Sequence, residues 1–488
     1  METVDTSLNM SSYYYPDMDP FFTTVDEPRG FFATIARWLS WEYRMQMRSP
    51  TPKDFAYPSF IYLLSIACIA TALNVKERYR AALVTASVAI GIEICRYLSG
   101  LEFVYAAKDT LIKIVIIHNT GAIIMILWEK FCLTEEQKSL SWKKRAIATY
   151  KIMWNSRFVN TARPAPVYHL QKAAEESKRA AALAAVAVET AKNTMDNDKN
   201  GIDNDKLENS KVLNNASEFA KIIKTWHNMR QLSSRSWNSI KPRWRFVIRT
   251  FGIIVAIWYL ELLKDHLWHN YVWFNWSDVI PEKRIYFRRL LRNEVDLRET
   301  GIRAYFAFEG VWGAYSWYTR WHYTCALFFV AIGIDEPEEW PPTFGDIRQA
   351  WNLRRFWSKY FDRLIYRSVN GLGEIFMAVI GMGPRPYRGK KRWLLNGLVF
   401  AISGFFHAAT DVLAGIHCGF WWELWWWLAQ FVAVASESAF LYSVMTYFPR
   451  FYNMMSGKTG KAIGFFWVFM WLFYSIPKNQ YVSIWCMP

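Results

Sequence analysis

The sequence holds no Cys-x-x-Cys pair. Its six cysteines, Cys68, Cys95, Cys132, Cys325, Cys418 and Cys486, stand far apart, which suggests neither a zinc site nor a disulfide framework. No Asp-rich cluster stands beside an apolar run, so the acids that hold a magnesium diphosphate in a membrane prenyltransferase or terpene cyclase are missing. The first 27 residues contain six acidic and no basic side chains. They lack the basic start and apolar core of a secretory signal, and residues 1–30 read as a disordered tail. Residues 193–212 nearly lack apolar side chains and read as a disordered linker. Within that linker Asp196, Asp198, Asn200 and Gly201 open like a calcium loop, but its twelfth position is Leu207 where the loop needs Glu.

Apolar runs are abundant. The 488 residues are 52% hydrophobic and 18% aromatic, with 27 Trp. Several nearly uncharged windows have the roughly 17–25 residues that a helix needs to cross a bilayer, and the aromatics suit helix ends at membrane interfaces. The net charge is +16, from 58 Lys and Arg against 42 Asp and Glu. In a soluble domain that excess would point to nucleic acid. Here the cations lie in loops between apolar runs, so the expected partners are membrane lipids and no nucleic acid.

The fold class expected is all-α: a polytopic membrane protein of eight to ten transmembrane helices, with a re-entrant or interfacial element and a central reaction tunnel. Residues 31–50 mix aromatics with Arg at helical spacing, as an interfacial helix does. Residues 51–132 hold spans near 57–75, 81–99 and 111–131. Residues 133–243 form a basic loop with a polar insert, helical over the Ala-rich 170–192. Residues 244–335 hold a span near 246–264 and an apolar region at 304–334, either one tilted helix or a broken pair. Residues 336–371 form a basic connection. Residues 372–488 begin with a Gly-flanked stretch, 372–380, too short to span, and continue with spans near 393–414, 419–446 and 463–477. Loop charge assigns 133–243 and 341–367 to the cytosol. Intramembrane Glu93 and Arg96 are three apart and able to pair. His118 and Asn119 read as packing contacts, and on a transporter reading Glu93, Arg96 and His118 would line a pathway.

Two features carry chemistry. Ser403, Gly404, Phe405, Phe406 and His407 place an imidazole inside an apolar span, where a neutral ring is a candidate base, and the small Ser403 and Gly404 permit close approach. The second feature is 340–367. After Trp340, Pro341 and Pro342, the residues Leu353, Phe356, Trp357, Tyr360, Phe361 and Leu364 recur at helical spacing between Arg354, Arg355, Lys359, Arg363 and Arg367. The periodicity predicts a basic amphipathic helix at the membrane face, with Asp362 as its acid.

Taken together, Trp340-Pro341-Pro342 with Phe344-Gly345, Leu353-Arg354 with Phe356-Trp357, and Ser403-Gly404 with His407 resemble the fungal wax-synthase-like branch of the membrane-bound O-acyltransferases. Gln430 and Glu437 resemble a Gln/Glu pair in that branch's next helix. The chain departs from the pattern at Ser358, where Gly is frequent, at Phe361, where Trp is usual, and at Asp362, where the superfamily has His or Asn. The resemblance implies acyl transfer from acyl-CoA, a co-substrate with no cofactor or metal needed, to the hydroxyl of a lipophilic alcohol. It implies His407 as general base, with Asp362 orienting it or the substrate. Substrate contacts are implied at Arg354, Arg355, Phe356, Trp357, Lys359, Ser403, Gly404, Gln430 and Glu437. An acetyl donor and a terpenoid or related secondary metabolite are the favoured substrates, in the endoplasmic reticulum membrane. The alternatives are a wax-ester synthase using fatty alcohols and a non-enzymatic transporter.

Overall fold

The computed structural model describes residues 51–101, 105–154, 240–268, 270, 275–361, 366–383, 385–416, 419–450 and 457–485. The expected interfacial helix at 31–50, the helix at 170–192 and the calcium-like loop lie outside the described residues. Those described are helical, without strands. The long elements are α1 (Pro52–Asn74), α2 (Glu77–Ser99), α3 (Tyr105–Ala122, continued by a π turn at Ile123–Trp128), α4 (Trp142–Met153) and α5 (Pro242–Leu267). They continue as α6 (Leu297–Ala331), α7 (Tyr366–Val379), α8 (Lys390–Ala414), α9 (Phe420–Tyr447) and α10 (Lys458–Trp485).

Seven of these, α1, α2, α3, α5, α8, α9 and α10, are long and apolar enough to cross a membrane. The protein is thus an integral membrane protein. Region 304–334 is one unbroken helix, α6, and not a broken pair. Its charged residues set it apart from the seven, yet it runs antiparallel to α5. Arg243 meets Glu336 at 3.1 Å near one end, and Lys264 meets Glu309 at 3.0 Å further along. At about 1.5 Å per residue its 35 residues extend about 52 Å, enough for an eighth crossing. The short stretch at 372–380 lies mostly within α7, whose 14 residues cannot span. Gly371 faces Ile124 of α3 and Gly373 faces Leu395 of α8, so α7 packs between those helices.

Without water to drive association, membrane helices rely on close packing and hydrogen bonds. Between α1, α2 and α3, Ser65 bonds Ser87 at 2.7 Å and Ser87 donates to the Asn119 side chain at 2.9 Å. His118 meets the Tyr62 hydroxyl at 3.0 Å and stacks on Trp154. Glu93 and Arg96 form the expected pair at 2.5 Å. The intramembrane polar groups of α2 and α3 are therefore largely spent on packing. Arg303, almost fully buried, answers a different need. Pro477 inside α10 has no N–H for the carbonyl four residues back, that of Phe473. Arg303 Nε donates to that carbonyl at 2.9 Å, and its Nη2 donates to the Tyr474 carbonyl at 2.9 Å.

Segment 340–361 is not the single amphipathic helix that its periodicity predicts. It forms a 3-10 turn at Ile347–Gln349, one α-turn at Leu353–Arg355 and a π turn at Phe356–Tyr360, and leaves as extended chain at Phe361. The physical reason is competition for backbone groups. Phe361 N donates to the Phe356 carbonyl at 2.8 Å, and Gly345 N captures the Tyr360 carbonyl at 2.8 Å, taking it out of any helical ladder. The side chains that recur at helical spacing instead fill a core: Leu353, Phe356 and Tyr360 are buried with Phe344 of this segment, Ala433 of α9 and Leu472 of α10. Burial pushes the Tyr360 phenol up to about 12.

Candidate active site

His407 lines a cavity of about 40 Å³ bounded by α3, α7 and α8. The pattern behind it is plain in the sequence. Ser403, Phe406, His407 and Thr410 recur at steps of three and four on α8, and Lys113, Ile116, Ile117 and Thr120 do so on α3. Each set is one face of a helix. Ser368 and Val369 of α7 close the third wall.

The imidazole is fixed from α9. Its ring stacks on Trp427 with centroids 4.8 Å apart and planes 24° apart. A side chain at position 404 would bring its Cβ to 2.8 Å from the Trp427 Cβ, so glycine there permits this approach. Trp427 Nε1 donates to Glu423 Oε1 at 2.9 Å, and Asn479 of α10 donates to Glu423 Oε2. Glu423 Oε1 then lies 4.0 Å from His407 Nδ1. This is longer than a hydrogen bond, and unliganded sites are frequently loose in this way. Nδ1 faces the carboxylate, which leaves Nε2 for a substrate proton. Lys113, on the cavity wall, sits 2.8 Å from Asp109, one turn away on α3.

The two motif halves meet through Trp357. Trp357 of the π turn packs against Trp427 at 5.5 Å and Phe400 of α8 at 5.6 Å, and Trp427 carries the contact on to His407. Trp340 is anchored separately: its Nε1 donates to Asp335 at 3.0 Å, which also accepts the Tyr150 hydroxyl of α4 at 3.0 Å. Burial and the Asp335 carboxylate together raise the Tyr150 phenol above its ordinary range.

The sequence-derived site residues divide into groups. His407 and Ser403 share the cavity, and Gly404 lies behind them against α9. Phe356 is buried in the motif core. Glu437 accepts the backbone N–H groups of Leu353 at 2.8 Å and Arg354 at 3.3 Å, and the Trp467 indole at 2.9 Å. Gln430, fully buried, accepts the Trp471 indole at 2.8 Å and reaches Ser475. Glu437 thereby joins the motif and α9 to α10, and Gln430 joins α9 to α10. Arg355 donates to the Gln349 carbonyl at 3.0 Å and lies over Trp351. Arg354 is exposed and Lys359 half-buried, and neither belongs to the walls of the His407 cavity. Asp362 lies outside the described residues. Glu423, Asn479 and Lys113 escaped the sequence reading. Glu423 stands among Trp421, Trp422, Trp425, Trp426 and Trp427, a run that reads as an interface anchor. The usable signal was the four-residue step from Glu423 to Trp427.

Among the described residues no cluster of His, Cys, Asp and Glu has the makings of a metal site. Residues 340–429 match the profile of the membrane bound O-acyl transferase family. Among curated proteins, acetyltransferase ataH of Aspergillus terreus is 32% identical over 177 residues, covering 35% of this chain and 55% of the relative. Acetyltransferase spyB of Aspergillus fumigatus is 27% identical over 165 residues, covering 32% and 28%. Acetyltransferase atnC of Arthrinium sp is 25% identical over 181 residues, covering 33% and 39%. The chain thus spans little more than half, or less, of the length of each of these relatives. No solved structure matches it. The resemblance read from Trp340 to His407 is borne out over that stretch.

Proposed function

We propose that this membrane protein is an O-acyltransferase that moves an acyl group from acyl-CoA to a hydroxyl of a lipophilic acceptor. Acetyl is the favoured acyl group, since the relatives just named are acetyltransferases, and a terpenoid or related secondary metabolite is the favoured acceptor. The observation that carries the reading is His407 on the wall of an intramembrane cavity, backed by Glu423. A thioester is already activated, so the enzyme mainly has to align two reactants and move one proton.

In the reaction, the acceptor oxygen attacks the thioester carbonyl while His407 Nε2 takes the hydroxyl proton. The C–S bond then breaks, the ester leaves, and the imidazolium returns its proton to the CoA thiolate. Glu423, oriented by Trp427 and Asn479, opposes the positive charge that develops on the ring, the part a carboxylate plays beside a catalytic histidine elsewhere. Asp362 remains a proposed contributor to the same step. The donor comes from the cytosolic side, where the basic segments 133–243 and 341–367 lie by their charge, and the acceptor enters from the bilayer of the endoplasmic reticulum.

The test is to incubate membranes carrying the full chain with labelled acetyl-CoA or long-chain acyl-CoA and a panel of alcohols. Ester formation with acetyl-CoA and a terpenoid alcohol is the expected result. Ester formation only with long-chain donors and fatty alcohols would make it a wax synthase, and no transfer from any donor would remove the enzymatic reading. The transporter reading has less support, because Glu93 and Arg96 pair with each other and His118 is taken up in packing.

A further inference from the structure

Next to the His407 cavity along α7 and α8 lies a cleft of about 420 Å³. Three guanidinium groups line it: Arg367 at the start of α7, Arg385 in the α7–α8 connection and Arg392 in the first turn of α8. The connection is strongly basic, with Arg385, Arg388, Lys390, Lys391 and Arg392 within residues 383–392 and no acid. One carboxylate, Glu374, also lines the cleft, but both its oxygens are engaged, Oε1 by Asn370 at 2.9 Å and Oε2 by Arg385 at 2.7 Å. Arg385 also donates to Glu129 at 2.8 Å, which fixes it in place and raises it further above the ordinary arginine range against the cost of its burial. Arg392 is exposed and forms no ion pair among the described residues.

The position of the cleft matters as much as its charge. Glu129 follows the end of α3, so Arg385 ties the cleft to the end of the bundle from which the basic 133–154 segment departs. On α8, positions 392, 396, 399, 403 and 407 recur at steps of three and four and share one face. Arg392 and Asn396 line the cleft, whereas Ser403 and His407 line the cavity. Fifteen residues separate Arg392 from His407, about 22 Å along the axis. On α7 the change from cleft to cavity takes one residue, Arg367 to Ser368. A cationic, amide-lined cleft thus opens at the bundle end, one helix face away from a buried base. This suits an elongated ligand with phosphates at one end and its reacting group at the other.

We infer that the Arg367–Arg385–Arg392 cleft holds the phosphate groups of the acyl donor while its thioester arm runs along α8 to His407. The inference rests on the acyl-transfer reading above, and it moves donor recognition from Arg354, Arg355 and Lys359 to a site 8 to 38 residues further along the chain, at Arg367, Arg385 and Arg392. The same phosphate chemistry is available from an anionic lipid headgroup, so the test separates the two sources.

The experiment uses the detergent-solubilised full chain as wild type, Arg392→Gln, Arg367→Gln and, as a control for loss of charge elsewhere, Arg288→Gln. Steady-state rates are measured with acetyl-CoA and with S-acetyl-pantetheine, which lacks the nucleotide phosphates. Binding of 3′,5′-ADP is measured by calorimetry, and co-purified phosphatidylglycerol is quantified. Each cleft variant is expected to raise KM for acetyl-CoA and Kd for 3′,5′-ADP about tenfold, the loss of one charge-assisted contact. The effect on S-acetyl-pantetheine should stay below about twofold, and Arg288→Gln should do neither. Equal shifts on both donors, or no shift on acetyl-CoA, would overturn the inference. So would unchanged 3′,5′-ADP binding accompanied by loss of bound phosphatidylglycerol, which makes the cleft a headgroup site. If the wild type transfers acetyl from neither donor, the acyl-transfer reading fails by itself, and 3′,5′-ADP binding decides whether the cleft takes nucleotide phosphates.

Discussion

Glu423 Oε1 faces His407 Nδ1 across the α8–α9 contact at 4.0 Å, held there by hydrogen bonds from Trp427 and Asn479. Three helices therefore cooperate to place one carboxylate behind one imidazole. Glu423 is a positioning residue: it reaches the reaction only through His407. Its substitution by Gln keeps the size and an acceptor oxygen but removes the charge that opposes a developing imidazolium. Glu423→Gln is expected to lower kcat about tenfold or more with KM nearly unchanged, while His407→Ala falls by about 10²–10⁴, the usual value of a general base. Steady-state kinetics on matched amounts of membrane protein check both. Wild-type kcat in Glu423→Gln would take this carboxylate out of the mechanism, and wild-type kcat in His407→Ala would take out the base.

Gly345 explains a motif position by sterics. A Cβ there would overlap the Lys359 carbonyl and approach the Tyr360 Cα to 3.0 Å, while the Gly345 N–H holds the Tyr360 carbonyl at 2.8 Å. These are backbone atoms and cannot swing aside. Gly345→Ala should force the π turn open and unseat Phe356 and Tyr360 from the core, costing about 1–3 kcal/mol by the usual scale of overpacking. A lower midpoint in thermal unfolding of the detergent-solubilised protein is the expected reading. An unchanged midpoint would mean that the turn has another accessible shape.

Arg303 and Pro477 form a matched pair. Arg303→Leu leaves the Phe473 carbonyl inside the bundle without the donor that replaces Pro477's missing N–H, a loss of about 1–3 kcal/mol. Pro477→Ala restores an N–H for that carbonyl. The double variant Arg303→Leu, Pro477→Ala is therefore expected to regain much of the stability that the single Arg303→Leu loses, measured as the unfolding midpoint. Additive losses would show that the two residues act independently.

The fold was largely legible because bilayer thickness dictates helix length. The spans expected near 57–75, 81–99, 246–264 and 393–414 coincide with α1, α2, α5 and α8 to within a few residues at most ends. Periodicity misled at 353–361, because buried positions in two consecutive short turns share the spacing of one helix face, and only the long-range bond from Gly345 to Tyr360 distinguishes them. In the candidate site His407 was legible as an isolated imidazole in an apolar run. Glu423 was not, because its role depends on the packing of α9 against α8 and α10, which no local pattern encodes. Arg303 was hidden likewise, since its partners are the carbonyls of residues 283, 473 and 474.

Gly404 sits where the packing and the chemistry meet. Its missing side chain leaves 2.8 Å between an ideal Cβ position and the Trp427 Cβ, and 3.2 Å to Leu424. Trp427 is the residue that stacks on His407, donates to Glu423 and touches Trp357. Gly404→Ala must therefore push α9 outward by a few tenths of an ångström or rotate the indole, and either response loosens the imidazole. Alanine also favours the helix over glycine by up to about 1 kcal/mol, so the net change in stability should be small while kcat falls severalfold. The measurement is kcat set beside the unfolding midpoint in the same preparation. A variant that loses stability and rate in proportion would reduce Gly404 to a packing residue, and one that keeps full rate would show that the Trp427 stack does not hold the base.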